Sequence, residues 1–505
     1  MSETNLYAVL QAGFSARLDA VALQTPHRNY TFRDIDAGSA KIATWLSSLK
    51  LPAGARVAVQ VEKSPEALML YLGTLRAGLV YLPLNTAYRE TEIAYFLGDA
   101  EPAVVVCAGA NLAWVEPLAM RSPGCKVVTL EEEGSGTLTD AIAGCSTAFD
   151  TVACSPDALA VILYTSGTTG RSKGAMLSHK NMISNAQVLH DYWGWRSDDV
   201  LLHMLPIFHV HGLFVAAHGA LLAGARMIWL PKFDLEQALR YLPDSTVMMG
   251  VPTFYVRLLS DERFNRELCR SMRLFVSGSA PLLTDTFESF QVRTGHTILE
   301  RYGMSETVML TSNPYLAQEG PRLGGTVGKP LPGVSVRVVD DQLQALPEGE
   351  IGHIQVKGDN VFSGYWRMPE KTKEEFTPDG WFRTGDMGRW NEQGYLVIVG
   401  RSKDLIISGG FNIYPKEIES LIDDLPGVAE SAVVGVPHAD FGEAVVAIVV
   451  PKAGVTLEAA QIQSALKNSI ANFKVPKKVH VVSELPRNTM GKVQKNVLRE
   501  QFKVL

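Results

Sequence analysis

The sequence predicts an α/β protein. A large N-terminal domain of parallel-type sheets covered by helices carries a small β-barrel-like subdomain and is followed by a small α+β domain. Three observations predict this. The chain has 505 residues, too many for one hydrophobic core, so two or more domains are expected. From about residue 55 to about residue 310, short apolar runs alternate with helical patterns, as parallel strands and their covering helices do. From about residue 325 the strand patterns crowd together, and beyond about residue 400 a compact mixed pattern of about a hundred residues suffices for a second domain.

Taken in order, ARVAVQV, VILYT, RMIWL, TVMMGV, RLFVSGS and TILERYG read as buried strands. EALMLYLGTLRAG and LEQALRYL lie between or beside them as helices. VSVRVVD, GEIGHIQVKG and GYLVIVG read as an antiparallel or barrel-like unit. GRSKDLIISGG is the boundary candidate; beyond it come helix EIESLIDDL, strands AVVGV and AVVAIVV, helix LEAAQIQSALKNSIA and strand KVHVV. The tail PRNTMGKVQKNVLREQF is polar and basic.

The formal charge of −6 argues against a nucleic-acid binder held by bulk attraction, but not against a nucleotide, which needs only local charge. Five cysteines without metal-ligand spacing fit reduced thiols. No secretory signal is visible, and no apolar stretch approaches the roughly 20 residues needed to cross a bilayer. A cytoplasmic location without a membrane partner is therefore expected.

Residues 164–174 read YTSGTTGRSKG. Glycine permits turns that clash for other residues, and successive N–H groups can then converge on one anion. The hydroxyls add donors, and Arg171 or Lys173 supplies charge. The run DALAVIL before it reads as a buried strand, and Ser178 after it as the N-cap of a helix. Strand, Gly-rich loop, helix is where α/β proteins hold phosphate. The pattern is not GxxxxGK[ST], because Arg171 and Ser172 separate Gly170 from Lys173. A solvated loop would use the same residue types.

Other segments suit one anionic ligand. In ERYGMSET, Tyr302 can stack on a base and Glu306 can hold Mg²⁺ against phosphate oxygens, or the segment is a strand end with a solvated carboxylate. In WFRTGD, Asp386 can accept from the two hydroxyls of a ribose, or serve its own turn. Arg401 can reach the same sugar, a phosphate, or a surface partner. In PIFHVHG, His209 and His211 suit a pocket wall beside an acid better than a metal pair, since no cysteine or carboxylate supports one.

In this order and spacing, YTSGTTGRSKG, PIFHVHG, ERYGMSET, WFRTGD, GRSKDLIISGGFNIYPKEIE and PRNTMGKVQK resemble the adenylate-forming superfamily: acyl-CoA synthetases, firefly-type luciferases and nonribosomal adenylation domains. The resemblance implies an N-terminal domain over 1–402 and a mobile C-terminal domain over 403–505, with Lys403 at the hinge. It implies two steps: a carboxylate attacks the α-phosphate of ATP, and after domain rotation a thiol displaces AMP.

Carried onto the matching motifs, the nucleotide falls to Thr165, Ser166, Gly167, Thr168, Thr169, Gly170, Lys173, Ser279, Tyr302, Gly303, Met304, Ser305, Thr307, Asp386 and Arg401. Thr165 and Glu306 would hold Mg²⁺. Lys492, Glu306 and His209 would be catalytic, and Gly409 and Gly410 would line the pantetheine tunnel. Lys492 and Lys495 would otherwise form a surface basic patch.

No carrier or condensation domain is visible, so CoA is the expected acceptor. Arg257 and Arg301 stand in segments that line the acid pocket of this family, together with His209 and Ser277. An unpaired guanidinium is costly in an apolar pocket, but a second carboxylate on the substrate would pair with it. SGSAPL, ERYGMSET and VPTFYVRLL are most similar to the malonyl-CoA synthetases of the superfamily. Malonate is the expected acid and methylmalonate a second one. Three alternatives stay open: a ligase for a short, medium-chain or aryl monocarboxylic acid, a nucleotide-binding relative without turnover, and, from the loop alone, a kinase. Acetylation of Lys492 by an acetyltransferase, reversed by a deacetylase, would remove its charge.

Overall fold

The computed structural model describes residues 5–165, 172–408, 411–438, 442–467, 469–470, 472–488 and 491–503. Two sheets make most of the large N-terminal part. A six-stranded sheet runs Lys126–Thr129, Val104–Cys107, Arg56–Gln60, Val80–Pro83, Leu159–Thr165, Lys173–Ser178. Its first five strands are parallel and the last pair is antiparallel. A nine-stranded sheet has six adjacent parallel strands, Ile298–Tyr302, Leu274–Ser277, Val247–Gly250, Val200–His203, Arg226–Trp229 and Val21–Gln24, between short antiparallel edges. Helices cover these strands, so Val247–Gly250 and Leu274–Ser277 are buried at every residue and read as apolar runs, while Ile298–Tyr302, buried as completely, also encloses Glu300 and Arg301. The helix Pro65–Arg76 is enclosed almost all round; Ser64 caps it and Pro65 opens it.

One expected element differs. The glycine-rich loop leads into the strand Lys173–Ser178, not directly into a helix. That strand pairs antiparallel with Leu159–Thr165, so the loop joins two strands of a hairpin. Only then does the helix His179–Tyr192 begin, with Ser178 accepting from Asn181 N–H as expected. The strand hides in the sequence because Gly174 occupies it. A Cβ there would lie 2.9 Å from Ile162 and 3.3 Å from Trp366.

The crowded strands after residue 325 form a four-stranded antiparallel meander, Val334–Val339, Gly352–Gly358, Phe382–Trp390, Leu396–Arg401. A short 3-10 turn, Ser402–Asp404, leads from it into a smaller unit with its own sheet. The strands Val428–His438 and Gly442–Pro451 of that sheet are covered on both faces. Val433, Val445, Ala447 and Val449 meet the helices Pro415–Asp423 and Ala459–Lys467 through Ile418, Ile422, Ile462 and Leu466. Ala432, Val434, Val446 and Ile448 meet Leu485 and Leu498. Burial of these two leucines, each worth about 1.5–3 kcal/mol, pins both ends of the basic tail. Among the described residues no helix is long and apolar enough to cross a membrane, and no cluster of three metal-ligating side chains occurs.

Candidate active site

The site collects at the C-terminal ends of parallel strands, beside the meander and the tail of the smaller unit. Tyr302 ends its strand, and its hydroxyl donates to Asp386 Oδ2. Asp386 is opposite Arg401 in the antiparallel register, and Arg401 Nε lies 2.8 Å from Asp386 Oδ1. One carboxylate thus joins a phenol and a guanidinium. Burial and the neighbouring carboxylate push the Tyr302 phenol far up, while Asp386 holds Arg401 above its ordinary value.

Gly303 follows, where a Cβ would lie 1.9 Å from the Val308 carbonyl oxygen, so the backbone doubles back through Met304 and Ser305 to Glu306. Glu306 is 5% exposed; Tyr365 donates to its Oε1 at 2.9 Å, and burial raises its pKa. The Tyr365 ring also carries Lys173, whose Nζ lies 4.3 Å from its centroid. Lys173 Nζ is 3.3 Å from Glu375 Oε1. Thr165 ends the neighbouring strand. The buried Thr307 hydroxyl has no partner among the described residues.

The second half of the site is cationic and buried. Arg301 is 4% exposed, and its Nε and Nη2 find no partner among the described residues. Burial pushes its guanidinium down to about 9, as expected for a cation enclosed without a counter-ion. Gly278 makes room for it, since a Cβ there would lie 2.4 Å from Arg301 Cζ. The preceding residue Ser277 has a buried hydroxyl that is also unpartnered among the described residues. The following residue, Ser279, adopts φ of 72° and lies 3.3 Å from His211 Nδ1 through its hydroxyl. His211 N–H in turn approaches His209 Nδ1 at 3.5 Å. Burial, then Lys492 and Arg301, push His209 down to about 3, so it is neutral at physiological pH. Glu300 does not pair with Arg301: successive strand residues face opposite ways. Its Oε1 instead accepts Leu282 N–H at 3.1 Å, and burial pushes it up to about 8.

Lys492 is brought to this place by a hairpin turn. Asn488 N–H donates to the Lys492 carbonyl and Lys492 N–H to Asn488 Oδ1, both at 2.9 Å. Arg487 donates to the Gly491 carbonyl at 2.6 Å and pairs with Glu430. The ammonium keeps accessible surface in the open cleft but feels Arg401, Asp386, Glu306 and Arg301. Desolvation, then Arg401, lowers its pKa. Lys495 has a different role, 2.5 Å from Glu419, so the two lysines do not form one surface patch.

Arg257 is not enclosed with Arg301. On the helix Pro252–Leu259, Tyr255 and Leu258 face the core, which turns Arg257 outward, exposed and 5.9 Å from the Phe233 ring centroid. Lys403 is exposed in the turn after the meander. Ser166, Gly167, Thr168, Thr169 and Gly170, and the pair Gly409 and Gly410, lie outside the described residues. Tyr365, which joins Glu306 to Lys173, was not foreseen; the motif GYW that contains it offers no charge to notice.

A two-part chain with a polar cleft and a lysine offered from the smaller part has the fold of adenylate-forming enzymes. Residues 10–366 match the family described as AMP-binding enzyme, and residues 417–492 match the AMP-binding enzyme C-terminal domain. The chain belongs to the AMP-binding enzyme family. It is 33% identical to a malonate–CoA ligase of Arabidopsis thaliana over 99% of this chain and 89% of that protein. It is 34% identical to a mitochondrial malonate–CoA ligase of Mus musculus over 96% of this chain and 89% of that one. Among solved structures, ATP-bound MatB from Rhodopseudomonas palustris superimposes with a TM-score of 0.96 at 55% identity, covering 99% of each chain. A benzoate CoA ligase from Burkholderia xenovorans superimposes with a TM-score of 0.88 at 25% identity, covering 98% of this chain and 99% of that one.

Proposed function

We propose that this chain is an AMP-forming acid–CoA ligase that converts malonate, ATP and CoA into malonyl-CoA, AMP and pyrophosphate. A carboxylate oxygen of malonate attacks the α-phosphorus, the α–β phosphoanhydride breaks, and pyrophosphate leaves. The CoA thiolate then attacks the acyl carbonyl of malonyl-adenylate, and AMP leaves. The observation that carries the choice of acid is the buried Arg301, whose Nε and Nη2 lack partners among the described residues, beside Ser277, Ser279 and the neutral histidines. A dicarboxylate supplies the missing counter-ion while its other end reacts; a monocarboxylate leaves the guanidinium uncompensated. The relatives named for malonate support the same reading. Arg257, turned outward on the helix Pro252–Leu259, acts on that carboxylate only at long range and more weakly than Arg301. Methylmalonate, larger by one methyl group, is the second expected acid. Malonate-dependent exchange of labelled pyrophosphate into ATP without CoA tests the first step. Exchange is expected with malonate, and its absence under conditions that support thioester synthesis would overturn the adenylate.

Asp386 and Arg401 would hold the ribose, and Tyr302 the base. Asp386→Asn is expected to raise the KM for ATP roughly ten-fold or more, the scale of a lost charge-assisted bond, and to leave the KM for malonate nearly unchanged. Steady-state kinetics with each substrate varied in turn checks this.

Glu306 and Thr165 fit Mg²⁺, which takes one or two protein carboxylates and completes its shell with water and substrate phosphate. The ion would neutralise the polyphosphate; Tyr365 and Lys173 orient and balance the carboxylate that holds it. Glu306→Gln is expected to lower activity at limiting Mg²⁺ and to regain part of it as free Mg²⁺ is raised, read from a Mg²⁺ titration at fixed ATP. A flat titration would remove Glu306 from this role.

We place the hinge at Lys403, between the domains 1–402 and 403–505. Rotation there would withdraw Lys492 after adenylation and bring the CoA arm past Gly409 and Gly410. Acetylation of Lys492 by an acetyltransferase, undone by a deacetylase, would switch off the first step by removing its charge. We also propose a cytoplasmic location.

A further inference from the structure

The segment holding His209 and His211 is tied to the opposite sheet by a buried lysine. Lys63 follows the strand Arg56–Gln60 of the six-stranded sheet and is 7% exposed. Its ammonium crosses to the nine-stranded sheet. There it meets His203 Nδ1 at 2.7 Å, the His203 carbonyl at 2.9 Å and the Leu230 carbonyl at 2.6 Å. An ammonium has three donors and no acceptor, so each proton is used. His203 ends its strand and Leu230 follows the adjacent parallel one, so Lys63 closes the ladder where the site loops leave the sheet. The Trp229 ring, 4.4 Å away, adds a cation–π contact.

The consequence falls on His203. The Gly212 carbonyl beside Nε2 can only accept, so the His203 proton sits on Nε2 and its Nδ1 accepts from Lys63. That Nε2–H donates to the Gly212 carbonyl at 2.8 Å. Gly212 admits no side chain, because a Cβ would lie 2.0 Å from the Pro206 carbonyl oxygen. The loop therefore closes on itself between Pro206 and Gly212, with His209 inside the closure, and passes into the π-helical turn His211–Ala217. Such turns are frequent at functional sites.

We infer that Lys63 and His203 are positioning residues for acid binding. Through the Gly212 carbonyl they hold the loop that aims His209 and His211 at the acid beside Arg301 and Ser279. Among the described residues the hydrogen bonds of Lys63 go only to His203 and Leu230, so the effect belongs to the acid and not to the nucleotide. The inference rests on the acid pocket proposed above.

The test is the KM of the full-length enzyme for malonate and for ATP, measured separately and accompanied by thermal unfolding. Lys63→Met and His203→Phe remove the donor chain. His203→Gln keeps an acceptor toward Lys63 and a donor toward Gly212. Lys63→Met and His203→Phe are expected to raise the malonate KM roughly ten-fold or more, the scale of lost outer-shell support. The ATP KM should stay within about two-fold. His203→Gln should return most of the malonate affinity. Equal rises in both KM values, or a His203→Gln enzyme as impaired as His203→Phe, would overturn the inference; if Lys63→Met does not fold, the two His203 variants decide. Arg301→Leu run alongside separates the two readings. If it leaves malonate unaffected, the pocket itself is misplaced. If it impairs malonate while the Lys63 and His203 variants do not, only the positioning inference falls.

Discussion

Lys492→Ala is expected to abolish adenylate formation, by on the order of a hundred-fold or more, while thioester formation from supplied malonyl-adenylate continues. Losing one preorganised donor at a charge-developing oxygen typically costs about that much. In the proposed reaction the first step brings a carboxylate up to a triphosphate, and the Arg487–Val493 bridge holds the Lys492 cation in the field of Asp386, Glu306, Arg401 and Arg301. The second step needs no cation at that place, so the two half-reactions should separate. Equal losses in both would mean that the tail supports the fold. The pH dependence follows from the same residue. Desolvation, then Arg401, lowers the Lys492 pKa. Its charge is present below that pKa and lost as pH rises through it. The adenylation rate should therefore fall at a lower alkaline pH than an ordinary lysine would allow. Lys492→Arg, charged throughout, should flatten that limb in a pH profile of pyrophosphate exchange.

Arg301→Leu is expected to reduce kcat/KM for malonate roughly ten- to a hundred-fold more than for acetate or butyrate. A charge-assisted bond to a buried carboxylate is worth on the order of 1.5–3 kcal/mol. The leucine also removes a buried cation whose Nε and Nη2 lack partners among the described residues. The variant should therefore fold, and relative activity toward monocarboxylates should rise. Arg257→Leu should have a smaller effect of the same sign, because its guanidinium is exposed over Phe233. Equal losses for mono- and dicarboxylates would make both arginines structural. Parallel assays of the three acids with each variant decide.

Lys492 and Arg301 were reached only through the resemblance to the adenylate-forming superfamily, whereas the phosphate-type segments stood out because anion chemistry restricts residue type and spacing. Glycines, hydroxyls and fixed charge stand out in YTSGTTGRSKG, ERYGMSET and WFRTGD without knowledge of what they touch. Strands buried on both faces, such as Val247–Gly250 and Leu274–Ser277, were legible as apolar runs. What stayed hidden depends on distant partners. Tyr365 meets Glu306 across 59 residues of chain, and Lys63 meets His203 across 140. Neither lies in a motif of its own. The strand Lys173–Ser178 was hidden by its glycine, and the unequal standing of Arg257 and Arg301 by the absence of any burial signal in their neighbouring letters.

The central claim is that one cleft makes an adenylate from a dicarboxylic acid and passes it to CoA. The most direct test incubates the enzyme with ATP, Mg²⁺, CoA and each of malonate, methylmalonate, acetate, butyrate and benzoate, scoring AMP, ADP and thioester. AMP and thioester formed with the highest kcat/KM for malonate is the predicted result. Release of ADP, or a monocarboxylic acid preferred over malonate, would contradict it.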